Sequence, residues 1–252
     1  MNQTTTRVCI LIPCLNEEKA IRGVVESAVA LGLPVIVVDD GSDDRTPDIV
    51  SELPVTLLRH ASRQGKGGAL RTGFRHALAE GYDAVLTMDG DGQHQASDIP
   101  RMLAASARHP GAIVVGARLL DRDQQPKGRR RANAVADWGI SCACAQPIAD
   151  TQSGQRLYPR AALALVDLPV EHFVFEAALL ISASRELGME VVSVPIPSRY
   201  QGEFRLSHFS PVRDVTRITV YTVGRAFHYG NVMASYRRSR ARPPTIVDIP
   251  QT

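Results

Sequence analysis

Apolar and polar positions follow one repeating pattern over the first half of the chain: a run of β-branched apolar residues, a polar loop, and then apolar residues at helical spacing. The apolar runs predict five strands, at Val8–Ile12, Val35–Val38, Val55–Leu58, Ala84–Met88 and Ile113–Val115. The segments between them predict helices at Glu18–Leu31, Thr46–Leu53, Gly68–Ala79 and Ile99–Arg108. Strands that alternate with helices form a largely parallel sheet with right-handed crossovers, so the pattern predicts an α/β fold with helices flanking a central sheet.

Each predicted strand is followed by a polar cluster. In chain order the clusters are PCLNEE, DDGSDD, RQGKGG, DGDGQH and GAR. The carboxyl ends of parallel strands meet at one edge of the sheet, and open α/β sheets bind their ligands there. We therefore expect a ligand site along this edge.

The pattern weakens after Arg118. A polar and basic stretch, DRDQQPKGRRR, precedes a predicted helix at about Asn133–Cys144 and the motif DTQSGQRLY. The next predicted elements are a helix at Phe175–Leu187, a strand in MEVVSVPI and the loop RYQGEFRLSHFS. We expect a first domain to span residues 1–210 and a separate tail to span residues 211–252.

The tail has apolar residues at overlapping helical spacings, with arginines between them, and finishes in a basic stretch, RRSRARPP. The apolar positions are Val212, Val215, Ile218, Val223 and Phe227. This pattern predicts an amphipathic basic helix on an anionic membrane surface, with its arginines attracted to lipid headgroups: Arg237, Arg238, Arg240 and Arg242. Two alternatives stay open, namely a solvated helix with a disordered end, and contact with a membrane partner subunit or a second copy of the chain.

Composition narrows the class of protein. A length of 252 residues with 44% hydrophobic content suffices for a large folded core, and a net charge of +3 gives no sign of nucleic-acid binding. The four cysteines lack CxxC spacing, which favours reduced, buried thiols. No apolar run approaches the length of a membrane span, about 18 residues, and no secretory leader is evident, so we expect a cytoplasmic protein lying peripherally on the inner face of the membrane.

The segment DGDGQH carries the clearest candidate chemistry. Asp89 and Asp91 alternate with glycines directly after an apolar strand, so both carboxylates emerge at the strand tip with little obstruction. Two carboxylates with Gln93 or His94 could hold Mg²⁺ or Mn²⁺ and leave coordination positions open for the phosphates of a nucleoside diphosphate. The same residues in isolation are also typical of a polar turn.

Two further clusters are compatible with nucleotide binding. Asp39 and Asp40 could accept hydrogen bonds from a base N–H or a ribose hydroxyl, although a helix-capping turn has the same composition. Lys66, among the glycines before a helix, could approach a phosphate. The spacing around Lys66 is not GxxxxGK[ST], so a P-loop is not supported, and a flexible turn remains an alternative.

Taken in order, these motifs resemble those of glycosyltransferase family 2, and within it the polyprenyl- or dolichyl-phosphate sugar synthases, over roughly residues 7–210. Asp89–His94 is similar to a DADxxH metal motif, Thr151–Arg156 to a TSGFR segment and Gly202–Ser207 to a GESKxS segment. The resemblance implies a GT-A fold, an inverting mechanism and a GDP- or UDP-sugar donor. The chain departs from the pattern at Phe204-Arg205, where the family often has Ser-Lys, and in the residue inserted within TQSG.

The resemblance also assigns roles to matching residues. It places four residues around the nucleoside, with Asp39 as a further contributor: Pro13, Asn16, Glu17 and Asp40. It assigns Asp89, Asp91 and Gln93 as the metal ligands. The donor diphosphate or an acceptor phosphate would meet arginines by bidentate hydrogen bonds, namely Arg118, Arg129 or Arg131, and Arg205.

The class of acceptor decides whether a general base is needed. A hydroxyl acceptor requires one, and Glu176 and Asp150 are the candidate carboxylates, although Glu176 could simply pair on a helix face. A lipid phosphate requires none, because its oxygen is already ionised. The arginines around Arg129 and Arg205 favour an anionic acceptor.

The sequence therefore predicts a metal-dependent transferase that moves a hexose from a nucleotide sugar to a polyprenyl phosphate or a similar lipid. A hydroxyl acceptor on a saccharide, another lipid or a pigment is the first alternative. A non-catalytic nucleotide-sugar-binding module is a further one, but it would not need the metal carboxylates. A nucleotidyltransferase would need a glycine-rich, arginine-containing signature near the N-terminus, and a Rossmann dehydrogenase would need GxGxxG after the first strand; PCLNEE fits neither.

Overall fold

The structure is a computed structural model that describes residues 6–121, 127–170, 174–197 and 211–250. Within these ranges, the side chains of residues 127, 129 and 211–215 are not described.

Within the described residues, seven strands form one central sheet. They are β1 (Val8–Cys14), β2 (Val35–Asp39), β3 (Thr56–Arg59), β4 (Ala84–Thr87), β5 (Ile113–Arg118), β6 (Arg156–Pro159) and β7 (Val191–Ile196). The order across the sheet is β3-β2-β1-β4-β6-β5-β7, and the neighbouring strands are parallel except where β6 pairs with β4 and β5. The predicted largely parallel sheet is confirmed.

Helices cover both faces of this sheet. They are α1 (Ile21–Val29), α2 (Thr46–Ser51), α3 (Lys66–Ala79), α4 (Ile99–Arg108), α5 (Lys127–Cys144), α6 (Arg160–Leu163), α7 (Val174–Glu186), α8 (Pro211–His228) and α9 (Val232–Arg240). Alternate residues of the strands supply two apolar cores, one shared with α1, α2 and α4 and the other with α3, α5, α6 and α7. Burial on both faces explains why the strands are almost continuously apolar in sequence.

The short strand β6 has no counterpart among the predicted strands. Its antiparallel pairing joins β4 to β5, with Leu86 opposite Leu157 on one side and Val114 opposite Leu157 on the other. Four residues that include Arg156 carry little strand signal, because their conformation is fixed by partners far away in the chain.

The starts of two helices differ from the predicted positions by three residues or more. α1 begins at Ile21 rather than Glu18, because Asn16 has a φ of +56° and the N–H groups of Ala20 and Ile21 both donate to the Glu17 carbonyl. α5 begins at Lys127, earlier than predicted. The basic residues before Asn133 hid this extension, because they break the apolar periodicity.

The predicted tail helix is two helices. Gly230, at φ +80°, separates α8 from α9, and the Asn231 side chain caps α9 by accepting a hydrogen bond from Ala234 N at 2.8 Å. The chain then returns to the sheet, where Ser193 N donates to Thr245 O at 2.9 Å and Val247 N donates to Ser193 O at 2.8 Å. The alternative of a disordered end is therefore wrong for this segment.

Two expectations from composition can be compared with the structure. All four cysteines are free and buried, as predicted. In the part of the chain that the structure describes, no helix has the length and apolar character needed to cross a membrane.

Candidate active site

The loop after β4 places two carboxylates beyond the edge of the sheet. Asp89 and Asp91 flank Gly90, where an added Cβ would lie 3.3 Å from the Pro13 carbonyl oxygen and 3.1 Å from the Cys14 side chain. A glycine at this position lets the loop pack directly against the end of β1. Pro13 thus lies beside the acidic loop.

Lys66 joins this loop to two other elements. It is the first residue of α3, after Gly65 at φ +81°, and its ammonium lies 2.7 Å from Asp89 Oδ1 and 3.1 Å from Glu176 Oε2. Glu176 belongs to the first turn of α7. Three residues that are distant in sequence therefore form one acid–cation–acid cluster at the carboxyl edge of the sheet.

The charged side chains of this cluster shift one another's pKa values. Burial disfavours ionisation of Asp89, but the charges of Lys66 and His94 outweigh burial and lower its pKa to about 2. Burial and the neighbouring Asp89 charge raise the pKa of Asp91. Burial alone would lower the pKa of Lys66, yet Asp89 and Glu176 raise it above its usual value. Asp89 is therefore a carboxylate at neutral pH, facing a fully charged ammonium.

The donor set of the acidic loop suits a hard divalent cation. Gln93 holds Asp91 in place, donating from its backbone N to Asp91 Oδ1 at 3.0 Å and from Nε2 to Oδ2 at 2.9 Å. Among the described residues, no three His, Cys, Asp or Glu side chains group as a set of metal ligands. Two carboxylates and one amide are nevertheless compatible with Mg²⁺ or Mn²⁺, since Mg²⁺ commonly takes one or two protein carboxylates and completes its coordination with water and substrate phosphates.

Asp39 and Asp40 occupy different environments at the end of β2. Asp40 accepts hydrogen bonds from the backbone N–H groups of Gln64 and Gly65 at 2.8 and 2.7 Å, and His60 Nδ1 lies 2.8 Å from its Oδ1. Its carboxylate is thus occupied in holding the loop before Lys66.

Only one oxygen of the Asp39 carboxylate is hydrogen-bonded within the described residues, whereas the other is ion-paired with Arg59. Its Oδ1 accepts hydrogen bonds from the backbone and hydroxyl of Ser42. Its Oδ2 lies 3.1 Å from Arg59 Nε, yet it is buried and has no hydrogen-bond donor among the described residues. Buried polar atoms are nearly always hydrogen-bonded, so this oxygen is suited to accept an N–H from a ligand.

Asn16 and Glu17 lie next to the same turn. Asn16 N donates to Ser42 Oγ at 2.9 Å, and the Asn16 side chain accepts from Asp43 N. Glu17 N donates to Thr46 Oγ1 at 2.8 Å. The ends of β1 and β2 are therefore tied into one surface beside the acidic loop.

Arg118, the last residue of β5, is held by Asp150. Its Nε donates to Asp150 Oδ2 and one terminal nitrogen donates to Oδ1, both at 2.7 Å. Its backbone N also donates to Oδ2, at 2.8 Å. Burial would raise the pKa of Asp150, but the hydrogen bonds and charge of Arg118 lower it. The charge of Arg118 also contributes to lowering the pKa of Asp89.

Comparison with known proteins identifies the family of this chain. The family model described as "Glycosyl transferase family 2" matches residues 9–167, more than half of the chain. The chain belongs to glycosyl transferase family 2.

Two relatives of this glycosyltransferase match over most of its length. The undecaprenyl-phosphate mannosyltransferase of Micrococcus luteus is 30% identical, over 80% of this chain and 88% of the relative. The UDP-N-acetylglucosamine--dolichyl-phosphate N-acetylglucosaminyltransferase of Methanococcus voltae is 29% identical, over 77% of this chain and 86% of the relative. The predicted family resemblance is confirmed.

A solved structure supports the fold. The glucosyl-3-phosphoglycerate synthase of Mycobacterium tuberculosis, in complex with Mn²⁺, uridine-diphosphate-glucose and phosphoglyceric acid, superposes with a TM-score of 0.68 at 22% identity, over 88% of this chain and 80% of that one. The glycosyltransferase therefore has the predicted GT-A fold.

Three arginines predicted to meet phosphate are not part of the described cluster. Arg205 lies outside the described residues, and so does the side chain of Arg129, whose backbone belongs to α5. Arg131 is exposed on the same helix, and its neighbour Arg130 lines a cavity between α5 and the C-terminal residues.

Gly154 is a site residue that the sequence analysis missed. An added Cβ would lie 2.4 Å from Asp89 Oδ2, which is too close for any side chain. The glycine therefore provides the space that the Asp89 carboxylate occupies. Its position in TQSG is visible in the sequence, but the contact with Asp89 depends on β6 lying beside β4.

Arg156 is a second missed residue, and it supports the site from beneath. Its guanidinium is fully buried and donates to the backbone carbonyl oxygens of Ser153 and Thr151 at 2.7 and 2.6 Å. It also donates to the Glu176 carbonyl oxygen at 3.3 Å and to the Tyr158 hydroxyl at 3.1 Å. It thereby fixes the loop before β6 against the first turn of α7. These contacts keep Gly154 and Glu176 in register with the acidic loop.

Proposed function

We propose that this glycosyltransferase is an inverting enzyme that moves a hexose from a GDP- or UDP-sugar to a polyprenyl phosphate or a similar lipid phosphate at the cytoplasmic face of the membrane. The observation that carries the proposal is the meeting of Asp89, Asp91 and Lys66 at the carboxyl edge of the sheet, where β5 also ends at Arg118. The lipid-phosphate glycosyltransferases of Micrococcus luteus and Methanococcus voltae, to which the chain is similar, support the choice of acceptor.

The nucleoside would lie over the ends of β1 and β2. Asp39 would accept a hydrogen bond from the base through its buried Oδ2, which has no other hydrogen-bond donor among the described residues. Pro13, Asn16 and Glu17 would border the same surface. Asp40 would act indirectly, because its carboxylate holds the Gln64–Gly65 backbone that precedes Lys66.

The diphosphate would lie over the acidic loop. A divalent cation bound by Asp89, Asp91 and Gln93 would neutralise charge on the departing nucleoside diphosphate. Lys66, now paired with Asp89 and Glu176, is close enough to the loop to contact a phosphate oxygen. The Arg118 guanidinium, which Asp150 orients, would contact the diphosphate from the side opposite Lys66.

An ionised phosphate oxygen of the acceptor would attack the anomeric carbon from the face opposite the leaving diphosphate, which inverts its configuration. The new bond joins that oxygen to the sugar, and the departing diphosphate takes the electron pair of the broken bond. This acceptor needs no general base, because its oxygen carries no proton to remove.

Exposed apolar side chains support attachment to a membrane surface. They lie on α5, α8 and α9, and they are Val135, Trp138, Val220, Val223, Phe227, Met233 and Tyr236. Arg237 and Arg238 are exposed on α9 beside them. Apolar side chains together with cations are what an interfacial helix presents to anionic lipid.

The proposal is tested by incubating the purified chain with Mg²⁺ or Mn²⁺, a polyprenyl phosphate and a panel of radiolabelled nucleotide sugars. We expect one GDP- or UDP-sugar to transfer label into the organic phase, and EDTA to abolish the transfer. Label that reaches only soluble acceptors, or transfer that withstands EDTA, would contradict the proposal.

A hydroxyl acceptor is the second candidate, because Glu176 lies in the cluster and is only partly exposed, at 12% of its side chain. In that case Glu176 would remove the acceptor proton. Glu176→Gln distinguishes the two: a phosphate acceptor predicts a loss in kcat of less than about tenfold, whereas a general base predicts a loss of about 10²–10⁴-fold.

A further inference from the structure

A cavity of about 530 Å³ lies between α5, the loop at residues 147–150 and the C-terminal residues 239–244. Its volume falls within the range of about 300–1,000 Å³ that is typical of small-molecule sites. The end of α9 and the residues that follow it form one wall, so the C-terminal segment contributes directly to a cavity that also includes Arg118.

The cavity has an excess of positive charge. Its lining includes two carboxylates, which are already hydrogen-bonded, and four arginines: Arg118, Arg130, Arg240 and Arg242. The Asp150 carboxylate is bound by Arg118, and an Asp137 oxygen accepts hydrogen bonds from the backbone and hydroxyl of Thr151 at 2.7 and 2.8 Å. Because the arginines outnumber the carboxylates, the cavity suits an anionic ligand.

The C-terminal arginines are available to such a ligand. Arg240 has no ion-pair partner among the described residues, and Arg242 lies a loose 3.8 Å from Glu190. The segment that follows them is anchored to the rest of the protein. Val247 and Ile249 are buried, and buried Arg101 donates to the Ile249 carbonyl at 2.7 Å.

The cavity adjoins an apolar surface. Trp138 lines the cavity, yet 54% of its surface is exposed, and its ring meets Tyr236 edge-on at 6.5 Å. Val135 on α5 and Met233 on α9 are also exposed. Because basic and apolar surfaces meet at Trp138, a molecule with a phosphate head and a hydrocarbon tail would satisfy both.

We propose that Arg240 and Arg242, together with Arg130, bind the phosphate monoester of an amphipathic lipid in this cavity, and that its hydrocarbon chain leaves across Trp138 and Tyr236. The C-terminal segment is then part of the lipid-phosphate site as well as of the membrane-facing surface. Identification of this lipid as the acceptor rests on the proposed function. Binding itself requires neither donor nor metal.

Trp138 is the single tryptophan of the chain, so its fluorescence reports directly on the cavity. The full-length protein is titrated with farnesyl phosphate, farnesol and inorganic phosphate, each in the absence of nucleotide sugar and metal. We expect saturable binding of farnesyl phosphate, at least about tenfold tighter than that of either other compound. Equal affinity for inorganic phosphate, or no saturable change with farnesyl phosphate, would overturn the proposal.

Two double variants separate the cavity from general attraction to a basic surface. Arg240→Ala with Arg242→Ala should weaken farnesyl phosphate binding at least about tenfold. Arg75→Ala with Arg108→Ala removes the same charge at exposed positions on α3 and α4 that do not line the cavity, and should change binding less than about threefold. Equal losses in the two variants would overturn the proposal.

Folding and function are controlled separately. Arg240→Lys with Arg242→Lys keeps the charge and should retain more of the binding than the alanine pair, and the thermal unfolding of every variant is compared with that of the parent. If the Arg240→Ala, Arg242→Ala variant is folded and binds farnesyl phosphate as the parent does, this inference is overturned. Transfer to polyprenyl phosphate would in that case still support the proposed function. Binding that is lost in that pair supports the site even if no donor yields transfer.

Discussion

The edge formed by β1, β2 and β4 and the region between α5 and the C-terminal segment differ in how they hold charge. At the sheet edge, Asp40 is fixed by backbone N–H groups and Asp91 by Gln93. Between α5 and the C-terminal segment, the charges are mainly arginines, and Arg240 is unpaired within the described chain. The first region is preorganised by its own backbone, whereas the second is open to an anion.

This difference suggests that the two regions bind different ligands. Carboxylates at fixed positions suit a metal and the diphosphate of a donor, whose geometry must be reproduced at every turnover. Arginines beside an exposed apolar surface suit a ligand with a charged head and a variable tail. The following substitutions test the two regions separately.

The largest effect is expected at the acidic loop. Asp91→Asn removes a charge that the proposed metal requires, so transfer should fall by about 10³-fold or more, since such ions contribute several kcal/mol to catalysis. Mn²⁺ binding, measured by electron paramagnetic resonance, should weaken in parallel. Asp48→Asn, at an exposed acid on α2, is the control; activity within tenfold of the parent in Asp91→Asn would contradict the assignment.

Gly154→Ala tests whether the position of Asp89 depends on space left by the neighbouring loop. The added methyl would overlap Asp89 Oδ2, and the resulting displacement should lower kcat by about 10²-fold while the chain still folds. Gly23→Ala on α1, where an added Cβ meets nothing within 4 Å, serves as the matched glycine control. Equal activity of the two variants would show that the close approach to Asp89 has no catalytic consequence.

The membrane-facing surface is tested with Val220→Ser and Phe227→Ser in one chain. Both side chains are exposed, Phe227 by 69%, and loss of their partial burial in lipid should reduce binding to anionic vesicles by about tenfold. Vesicle sedimentation gives the measurement. Leu187→Ser, at a similarly exposed apolar residue after α7, should leave vesicle binding unchanged; a loss of equal size in this variant would rule out a localised surface.

The smallest effect is expected on stability, at Asp150. Because Arg118 lowers the Asp150 pKa in the folded protein, the carboxylate stabilises the fold above its unfolded pKa of about 3.9 and loses this effect as the pH falls towards the folded value. Asp150→Asn should therefore lower the free energy of unfolding by about 1 kcal/mol at neutral pH. Urea denaturation should show the difference shrinking below about pH 4; a difference independent of pH would contradict this role.

The sequence predicted the first region better than the second. The apolar run was sufficient to locate Asp89 and Asp91 at the end of β4, because all four residues of this strand are buried. The roles of Gly154 and Arg156 depend on β6, which is too short to be recognised and pairs with strands far away in the chain.

Neighbouring residues of the same type were also indistinguishable in the sequence. Asp39 and Asp40 are adjacent, yet only Asp39 keeps a buried oxygen without a hydrogen-bond donor among the described residues. Likewise, Arg130 lines the cavity whereas Arg131 is exposed. Which of two adjacent side chains faces a site depends on the exact start of a strand or helix, and a sequence pattern does not fix that start closely enough.

The central claim is tested most directly by a competition between two acceptors that differ only in the phosphate. A polyprenyl phosphate and the corresponding polyprenol are supplied together, at equal concentration in the same vesicles, with the preferred labelled nucleotide sugar and Mn²⁺. The proposal predicts that the label enters the phosphate-linked product at least about 10²-fold more than the alcohol-linked product. Equal labelling, or preference for the alcohol, would contradict it.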